Sequence, residues 1–344
     1  MTSDRLQELL ASFSTKRILV VGDFFLDKYL EFDPSLAEVS LETGKIANQV
    51  TSIRHYPGAA GTIVSNLAAL KAGEVIAVGF TGDDGEGHDL RRDLQKLGCN
   101  TNYLFCMEGP HTPTYLKPVN CTIAGLDGES ERYDTKNREP LLPEIEERII
   151  EALQELIPWV DAIIIADQVQ EEGCGAITSG VRGMLCEMAA EYPETVFWAD
   201  SRQRIGLYTN VVTKPNQQEA VRAVFEHENL DEELVLQAGR TLCSRSGKPV
   251  FISRSEKGML VFDGDELLDI RGVKVECPID ITGAGDSVTA SAVLTLASGG
   301  SLEEAALMAN LTASIVVQQI GVTGIARPED LPARLWLWNS QVPG

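Results

Sequence analysis

A glycine-rich turn stands just before an apolar helix in the segment DITGAGDSVTASAV at residues 280–293. Gly283 and Gly285 allow the backbone to approach an anion closely. The N–H groups of Ala284, Gly285 and Asp286 would then point at that anion, and the helix dipole would add positive potential. Such a nest suits the negative charge that develops on a phosphoryl group during its transfer.

Asp286 stands in the first turn of this helix, where a carboxylate has two uses. It can cap the N–H groups of the turn, which is a purely structural role. It can equally accept the proton of a substrate hydroxyl while that hydroxyl attacks phosphorus. The motif alone leaves both roles open.

A second polar motif, KPNQQE at residues 214–219, follows a predicted strand and opens a helix. Asn216 and Glu219 are three residues apart, so they share one face of that helix. The spacing fits an N-cap residue with its capping-box glutamate. It also fits a pair that holds Mg²⁺ through water beside nucleotide phosphates, because Mg²⁺ keeps several of its waters.

Two further motifs lie near the amino end of the chain. The stretch GDFFLD at 22–27 places Asp23 and Asp27 directly after a strand. Ionised carboxylates only accept hydrogen bonds, which suits sugar hydroxyls; a turn-forming Asp23 and a solvated Asp27 are the alternatives. PGAAG at 57–61 then opens another helix with small residues.

The elements that carry these motifs alternate along the chain. Short β-branched runs predict strands at 17–22, 75–79, 162–166, 195–199, 211–213 and 250–253. Helical spacing predicts helices at 62–71, 84–97, 143–157, 181–190, 234–244, 285–298 and 301–319. This alternation predicts an α/β fold with a doubly wound, mostly parallel sheet flanked by helices. Ligands of such sheets bind beyond the carboxyl ends of the strands.

Residues 24–56 and 103–135 interrupt this alternation, because they are polar, rich in turns and without helical periodicity. Alternating pieces at 45–53 and 114–122 predict edge strands. We interpret the two segments as a small β flap over the sheet of a single domain, residues 1–344. Apolar flap strands of this kind can pair across a two-fold axis, so we expect a homodimer through the flap.

The charge balance limits the partners of the protein. The 344 residues contain 29 Lys and Arg against 51 Asp and Glu, a net charge of −22. This charge repels nucleic acid and anionic membranes, so neither is an expected partner. A phosphorylated ligand must therefore be held by local donors, whereas Mg²⁺ is favoured.

The targeting signals and cysteines point to one compartment. The seven cysteines are scattered without CxxC spacing, which is typical of free thiols in a reducing cytosol. The amino-terminal residues lack the pattern of a signal peptide, and no apolar run is long enough to span a membrane. A cytoplasmic protein is expected.

Taken in this order, the four motifs resemble the PfkB or ribokinase family of sugar kinases over residues 17–330. The resemblance implies a ribokinase-like fold with a β-strand lid. It also implies transfer of the γ-phosphoryl group of ATP to a sugar hydroxyl. By the same resemblance Asp286 is the catalytic base, residues 283–285 form the anion hole, and Asn216 and Glu219 order Mg²⁺ through water.

Within this family the likeness is closest to bacterial heptose 7-phosphate kinases, on stretches such as VVGDFFLDKYL, SRSEKGM and MANLTASIVVQQIG. The residues that this likeness implies for the nucleotide are Asn216, Ser253, Ser255, Glu256, Gly258, Thr282, Gly283, Gly285 and Asn310. Those implied for the sugar are Asp27, Asp23, Gly58, Ala59, Thr62 and Lys117. The acceptor would already carry a phosphate at its far end.

Six cations of the flap and pocket rim are candidates for holding that phosphate, each with a solvated surface charge as the alternative: Lys117, Arg132, Lys136, Arg138, Arg202 and Arg204. The sequence departs from the family pattern around the sugar. Thr62 stands where the family usually has an asparagine, and ADSR at 199–202 stands where Asp-Pro-Lys is common. The acceptor hydroxyl and a need for a monovalent cation such as K⁺ therefore stay open. So do two other functions, a kinase of a nucleoside or other small alcohol and a non-catalytic sugar sensor.

Overall fold

A computed structural model of the chain describes residues 1–225 and 230–341. Two sheets dominate this part of the chain, one of nine strands and one of four, with a short two-stranded ribbon beside them. In chain order the strands are β1 (Arg17–Gly22), β2 (Phe24–Phe32), β3 (Glu38–Val39), β4 (Ile46–Ala47), β5 (Val50–Ala59), β6 (Glu74–Gly82), β7 (Asn100–Met107), β8 (Thr114–Asn120), β9 (Tyr133–Thr135), β10 (Ala162–Asp167), β11 (Val196–Ser201), β12 (Val212–Thr213), β13 (Val250–Ser253), β14 (Met259–Asp263) and β15 (Glu266–Ile270).

Helices cover both faces of the large sheet. They are α1 (Ser3–Phe13), α2 (Ala60–Ala69), α3 (Gly85–Lys96), α4 (Pro143–Leu156), α5 (Ser179–Glu191), α6 (Gln217–Phe225), α7 (Glu232–Ser246), α8 (Ala284–Ala297), α9 (Leu302–Val316) and α10 (Leu331–Gln341). In the described part of the chain, no helix has the length and apolar character needed to cross a bilayer.

The large sheet has the strand order β15-β14-β13-β12-β11-β10-β1-β6-β7. Its strands run parallel from β7 to β13, and only β14 and β15 are antiparallel additions at one edge. Buried residues of β1 alternate between two cores: Ile18 and Val20 pack on one face, and Leu19 and Val21 on the other. A strand buried on both faces reads as a continuous apolar run, which is why the sequence predicts this sheet well.

The second sheet, with the order β5-β2-β8-β9, is the β-strand lid. Strand β1 runs into β2 with only Asp23 between them, and β5 runs directly into α2. The lid therefore leaves and rejoins the core at the carboxyl edge of the large sheet. One boundary of the predicted flap is wrong: residues 103–107 belong to β7, which pairs with β6 as the edge strand of the large sheet.

Gly22 lies where β1 passes β10 on its way into the lid. Its φ is +152°, and a Cβ at this position would lie 2.2 Å from the carbonyl oxygen of Ala166. Gly22→Ala should therefore destabilise the fold by about 2–4 kcal/mol, because two packed backbones must separate. Gly183 of α5 is the matched control: it is exposed, nothing lies within 4 Å of its Cβ position, and Gly183→Ala should stabilise by about 0.5–1 kcal/mol. Chemical unfolding of both variants checks the prediction, and equal effects would contradict it.

Candidate active site

The first turn of α8 presents unfilled N–H groups. Gly283 precedes the helix with φ +77°, and no side chain caps this end. The N–H of Ala284 donates to the carbonyl of Ile281 at 3.2 Å, so it is not free to bind an anion. The predicted nest of three N–H donors therefore loses one of them. In the described part of the chain the N–H groups of Gly285 and Asp286 have no acceptor. Two free donors at the positive end of a helix dipole are suited to an anion, and the anion-binding role of this turn stays a prediction.

Asp280 holds the turn before α8 in place. Its Oδ1 accepts the N–H of Thr282 at 3.0 Å, and its Oδ2 accepts the N–H of Gly321 at 3.0 Å. The side chain is buried. A buried carboxylate with two backbone donors thus ties the loop before α8 to the loop after α9.

Asp286 lies at this end of α8 and keeps a partly exposed surface. Desolvation by the surrounding protein, with the negative charge of Asp200 added to it, raises the pKa of Asp286 to about 7. The positive charges of Lys214 and Arg202 act in the opposite direction. A carboxylate with a pKa near neutral pH is well matched to taking a proton from a hydroxyl.

Lys214 and Asp200 form a buried ion pair that the sequence analysis did not single out. The Lys214 Nζ lies 2.9 Å from Asp200 Oδ2, at the ends of the neighbouring strands β12 and β11. A Cβ built on Gly285 would lie 3.7 Å from that Nζ, so the ammonium borders the anion site. Burial opposes the charge of Lys214, yet its pKa is raised because Asp200 and Glu219 stabilise the ammonium. Their place at the carboxyl edge of the sheet is the signal that could have found both residues.

Asn216 and Glu219 form the capping box at the start of α6. The N–H of Glu219 donates to Asn216 Oδ1 and the N–H of Asn216 donates to Glu219 Oε2, both at 2.8 Å. Burial raises the pKa of Glu219, and the charge of Asp200 adds to the effect. The capping role and the metal role are compatible, because the Glu219 carboxylate has a second oxygen, Oε1, that the capping box does not use.

Mg²⁺ fits this donor set. It prefers carboxylate, phosphate and water oxygens and keeps several waters, so one or two carboxylates suffice. Glu219 Oε1 has no protein partner in the described residues, and Asp200 lies close enough to act on the Glu219 charge. No three His, Cys, Asp or Glu side chains come together as a metal site within residues 1–225 and 230–341.

Asp27 is the buried carboxylate of the lid. Its Oδ1 has no hydrogen-bond partner, and Lys117 Nζ lies 3.7 Å away. Burial raises the pKa of Asp27, although the charges of Lys117 and Arg132 pull it down. Gly58 leaves space beside the carboxylate, since a Cβ there would lie 3.3 Å from its carbon. An orphaned acceptor beside a glycine is suited to a ligand hydroxyl.

Three other residues expected to meet the sugar lie around Asp27 and the anion site. Ala59 has φ +51°, a strained value for a residue with a side chain, at the junction of β5 and α2. The Thr62 methyl lies 3.3 Å from the Cβ position of Gly283, while its hydroxyl donates to the carbonyl of Pro57. Lys117 donates to the Tyr29 hydroxyl at 3.0 Å. The sugar contacts of all three stay predictions.

Asp23 has a task that differs from the one we expected. Its carboxylate accepts three backbone N–H groups, from Gln168, Val169 and Ala176, at 2.7–2.9 Å. Burial, with the charge of Asp167 added, raises the pKa of Asp23 to about 6 despite these donors. Asp23 thus anchors the loop after β10, and its contact with the sugar stays a prediction.

Arg204 anchors the same loop from the other side. Its guanidinium donates to Asp167 at 2.9 Å and to the carbonyls of Val169 and Gln170 at 2.8 and 3.0 Å. This side chain is therefore a structural residue, which argues against our expectation that it holds a phosphate. The anchored loop forms one wall of a cavity.

That cavity has a volume of about 340 Å³ and lies between the lid and the carboxyl edge of the sheet. Three of the six candidate cations line it. Arg132 is paired with Asp134 at 2.6 Å, and Lys136 lies 3.8 Å from Glu171. The Arg202 guanidinium has no hydrogen bond within the described residues. Arg138 is not among the lining residues.

The loop expected to meet the nucleotide lies beside the Asn216 motif. Ser253 N–H donates to the carbonyl of Pro215 at 3.1 Å, which joins the ends of β12 and β13. Ser255 and Gly258 both have positive φ, and a Cβ on Gly258 would lie 2.2 Å from the carbonyl oxygen of Ile270. The tight turn therefore requires glycine at 258.

Three other predicted nucleotide residues border this loop or the anion site. Glu256 is exposed in the turn, and Thr282 is exposed just before Gly283. Asn310 is buried, and its Nδ2 donates to the carbonyls of Ile270 and Arg271 at 3.0 and 3.1 Å. That amide nitrogen holds the end of β15, so the structure adds a packing role to the expected nucleotide contact.

Residues 193–329, which include β11, the capping box and the turn before α8, match the family model described as pfkB family carbohydrate kinase. This part of the chain is therefore similar to the PfkB family of carbohydrate kinases. It is 28% identical over 328 residues to the bifunctional protein HldE of Sulfurimonas denitrificans, an alignment that covers 94% of this chain. The chain spans 65% of the length of that relative.

Solved structures agree with this fold. Ribokinase from Cryptococcus neoformans var. grubii serotype A, in complex with ADP, aligns over 95% of this chain and 100% of its own with a TM-score of 0.64 at 18% identity. Phosphofructokinase-2 from Escherichia coli, in complex with potassium, aligns over 94% and 99% with a TM-score of 0.69, also at 18% identity. Both likenesses confirm the ribokinase-like architecture with its lid.

The raised pKa of Asp286 has a consequence for stability. The group ionises at about pH 3.8 when unfolded and at about 7 when folded, so its ionisation costs folding free energy as the pH rises through this window. Asp286→Asn should therefore raise the melting temperature above pH 7, with a gain that shrinks towards zero near pH 4. Asp265→Asn, at an exposed turn, is the control and should show no such trend. A gain that is independent of pH would contradict the assignment.

Proposed function

We propose that this kinase transfers the γ-phosphoryl group of Mg-ATP to a hydroxyl of a sugar phosphate, with a heptose 7-phosphate as the best candidate. The single observation that carries the proposal is the half-buried carboxylate of Asp286 beside two unfilled N–H donors of α8. A base and an anion site within one helical turn are what in-line phosphoryl transfer requires.

The reaction assigns one task to each group. Asp286 takes the proton of the acceptor hydroxyl as its oxygen attacks the γ-phosphorus, and ADP leaves with the electrons of the broken P–O bond. The N–H groups of Gly285 and Asp286 stabilise the charge on the transferring group. Asn216 and Glu219 would hold Mg²⁺, and the ion would neutralise phosphate charge. A monovalent cation such as K⁺ stays an open addition.

The lid orients the acceptor. Asp27, whose Oδ1 is unpartnered, accepts hydrogen bonds from sugar hydroxyls, and Gly58 leaves room for them. Closure of the lid over the sugar would exclude water, so that ATP is not hydrolysed instead. The nucleotide lies along the Ser253–Gly258 loop on the opposite side of Asp286.

A phosphate at the far end of the sugar accounts for the cations of the cavity. Arg202 has an unpaired guanidinium there, and Arg132 and Lys136 stand beside it. The whole protein has a net charge of −22, so these local cations must supply the attraction for an anion. The similarity to HldE supports a heptose among the phosphorylated sugars.

The first test is ADP release with Mg-ATP and a panel of sugars and their 1-, 6- and 7-phosphates, with Asp286→Asn as the blank. We expect release that depends on one sugar phosphate and falls by about 10²–10⁴-fold in the blank, since a positioned base contributes that much. Arg202→Met should raise KM for the sugar phosphate at least ten-fold and leave KM for ATP within two-fold. Release of ADP with nucleosides alone would favour the alternative of a nucleoside or small-alcohol kinase. An active Asp286→Asn variant would contradict the assignment of Asp286 as the base.

We also propose that the lid pairs with the lid of a second copy of this chain. Its ribbon and edge strand expose a set of large apolar side chains: Leu36, Val39, Leu41, Ile46, Val50 and Ile53. A two-stranded ribbon is marginal in water by itself, and an apolar patch of this kind marks an interaction surface. The high net charge opposes association elsewhere on the molecule.

Light scattering tests this assembly. We expect a species of twice the 37.4 kDa chain mass, and a monomer for the double variant Leu41→Asp/Ile46→Asp. The control is Trp336→Asp, an exposed aromatic residue on α10 that should leave the mass unchanged. A monomeric wild-type protein at micromolar concentration would overturn the proposal.

A further inference from the structure

The Asp200–Lys214 ion pair lies beside the first turn of α8 and acts on the charge of Asp286. The Lys214 ammonium borders the backbone of Gly285, one residue before the base. A buried ammonium needs a carboxylate partner, and three carboxylates act on it here: Asp200, Glu219 and Asp286. The carboxylate that pairs with the ammonium determines whether Asp286 is free to accept a proton.

The Asp200 carboxylate contacts both the Lys214 ammonium and helix α8. Its Oδ2 lies 2.9 Å from Lys214 Nζ and also accepts the hydroxyl of Thr289 at 3.1 Å. Thr289 is three residues after Asp286 in α8. Strand β11 therefore fixes the Asp200 carboxylate against the same helix that carries the base, with its charge directed at the ammonium.

We propose that Asp200 is a positioning residue that keeps the Lys214 ammonium beside the anion site and off the carboxylate of Asp286. This inference rests on the proposed role of Asp286 as the base. Without Asp200, the ammonium would pair with Asp286, and an ion-paired carboxylate is a weaker acceptor for the hydroxyl proton. With Asp200 in place, the ammonium faces the transferring phosphoryl group instead.

The charges around Asp286 support the proposal that Asp200 keeps the Lys214 ammonium away from Asp286. Asp200 and the Arg202 side chain come from β11 and the loop after it, Lys214 follows β12, and Asp27 comes from the lid. Neutral side chains contact α8 from α2 and α9, Thr62 of α2 near Gly283 and Thr312 of α9 against Ser291. The Arg5–Glu304 ion pair of α1 and α9 lies at the other, carboxyl end of α8. Removal of the Asp200 charge thus shifts the balance towards the two cations, which favours the ionised form of Asp286 and lowers its pKa.

The test combines Asp200→Asn, Lys214→Met and the double variant in steady-state kinetics, with the pH dependence of kcat/KM as the deciding readout. In Asp200→Asn we expect kcat to fall at least ten-fold and the acidic limb of the profile to move to lower pH by about one unit or more. In the double variant the limb should return towards its wild-type position. Addition of Asp200→Asn to Lys214→Met should change kcat by less than about two-fold, because the two residues act as a unit.

Folding and the base itself are checked in the same series. Each variant must keep a cooperative melt and an ATP-induced rise in melting temperature, and the double variant, which removes both buried charges, covers the case in which Asp200→Asn unfolds. Asp161→Asn is the matched control: this residue lies 3.6 Å from Lys16 at the opposite, amino edge of the sheet and should not move the limb.

Two outcomes would overturn the inference. An unmoved acidic limb in Asp200→Asn would mean that the ammonium does not turn to Asp286. An equal loss of kcat from Asp200→Asn in the wild-type and Lys214→Met backgrounds would mean that Asp200 acts without Lys214. An active Asp286→Asn variant, in contrast, would show that Asp286 is not the base. That result would contradict the proposed function and is distinguishable from a failure of this inference.

Discussion

The balance of charge among partly buried side chains at the carboxyl edge of the sheet is the constraint on which this site depends. Asp286, Asp200 and Glu219 bring three carboxylates together, and Lys214 is the buried cation among them. With less positive charge nearby, the pKa of Asp286 would rise and the carboxylate would be protonated. With more positive charge, its pKa would fall and it would be a weaker acceptor for a proton. The pKa of about 7 for Asp286 is the result of this balance.

The parallel sheet makes this arrangement possible. The strands from β7 to β13 deliver their carboxyl ends to one edge, so β1, β10, β11 and β12 each contribute a polar residue there although they are far apart in the chain. The amino ends of α2 and α8, neither of which a side chain caps, meet at the same edge. Rigid strands fix the acid–base groups, and only the lid is built from a separate sheet.

Features that depend on neighbours in the chain were predictable from sequence. The turn before α8, the capping box of Asn216 and Glu219, and the buried strands follow from spacing and residue type, and the structure contains each of them. The lid was recognisable as an interruption, but its second segment was begun too early. The first residues of that segment show no helical periodicity, and only their pairing with β6 assigns them to the large sheet.

Features that depend on contacts between distant segments were not predictable. Asp23 has the same sequence context whether it meets a sugar or three backbone N–H groups, and the deciding partners lie more than 140 residues away. Lys214 and Asp200 each read as an ordinary charge at the end of a strand. Their pairing depends on which strands are adjacent, and no local pattern of one sequence contains that information.

Asp23 has a position in the fold that links two parts of the pocket. It is the one residue between β1 of the core and β2 of the lid, its carbonyl accepts the N–H of Ala60 at the lid's return, and its carboxylate holds the wall formed by the loop after β10. The lid and the loop after β10, which forms one wall of the pocket, are therefore both attached at Asp23. A shift of the lid relative to the sheet would strain the hydrogen bonds that hold the loop after β10.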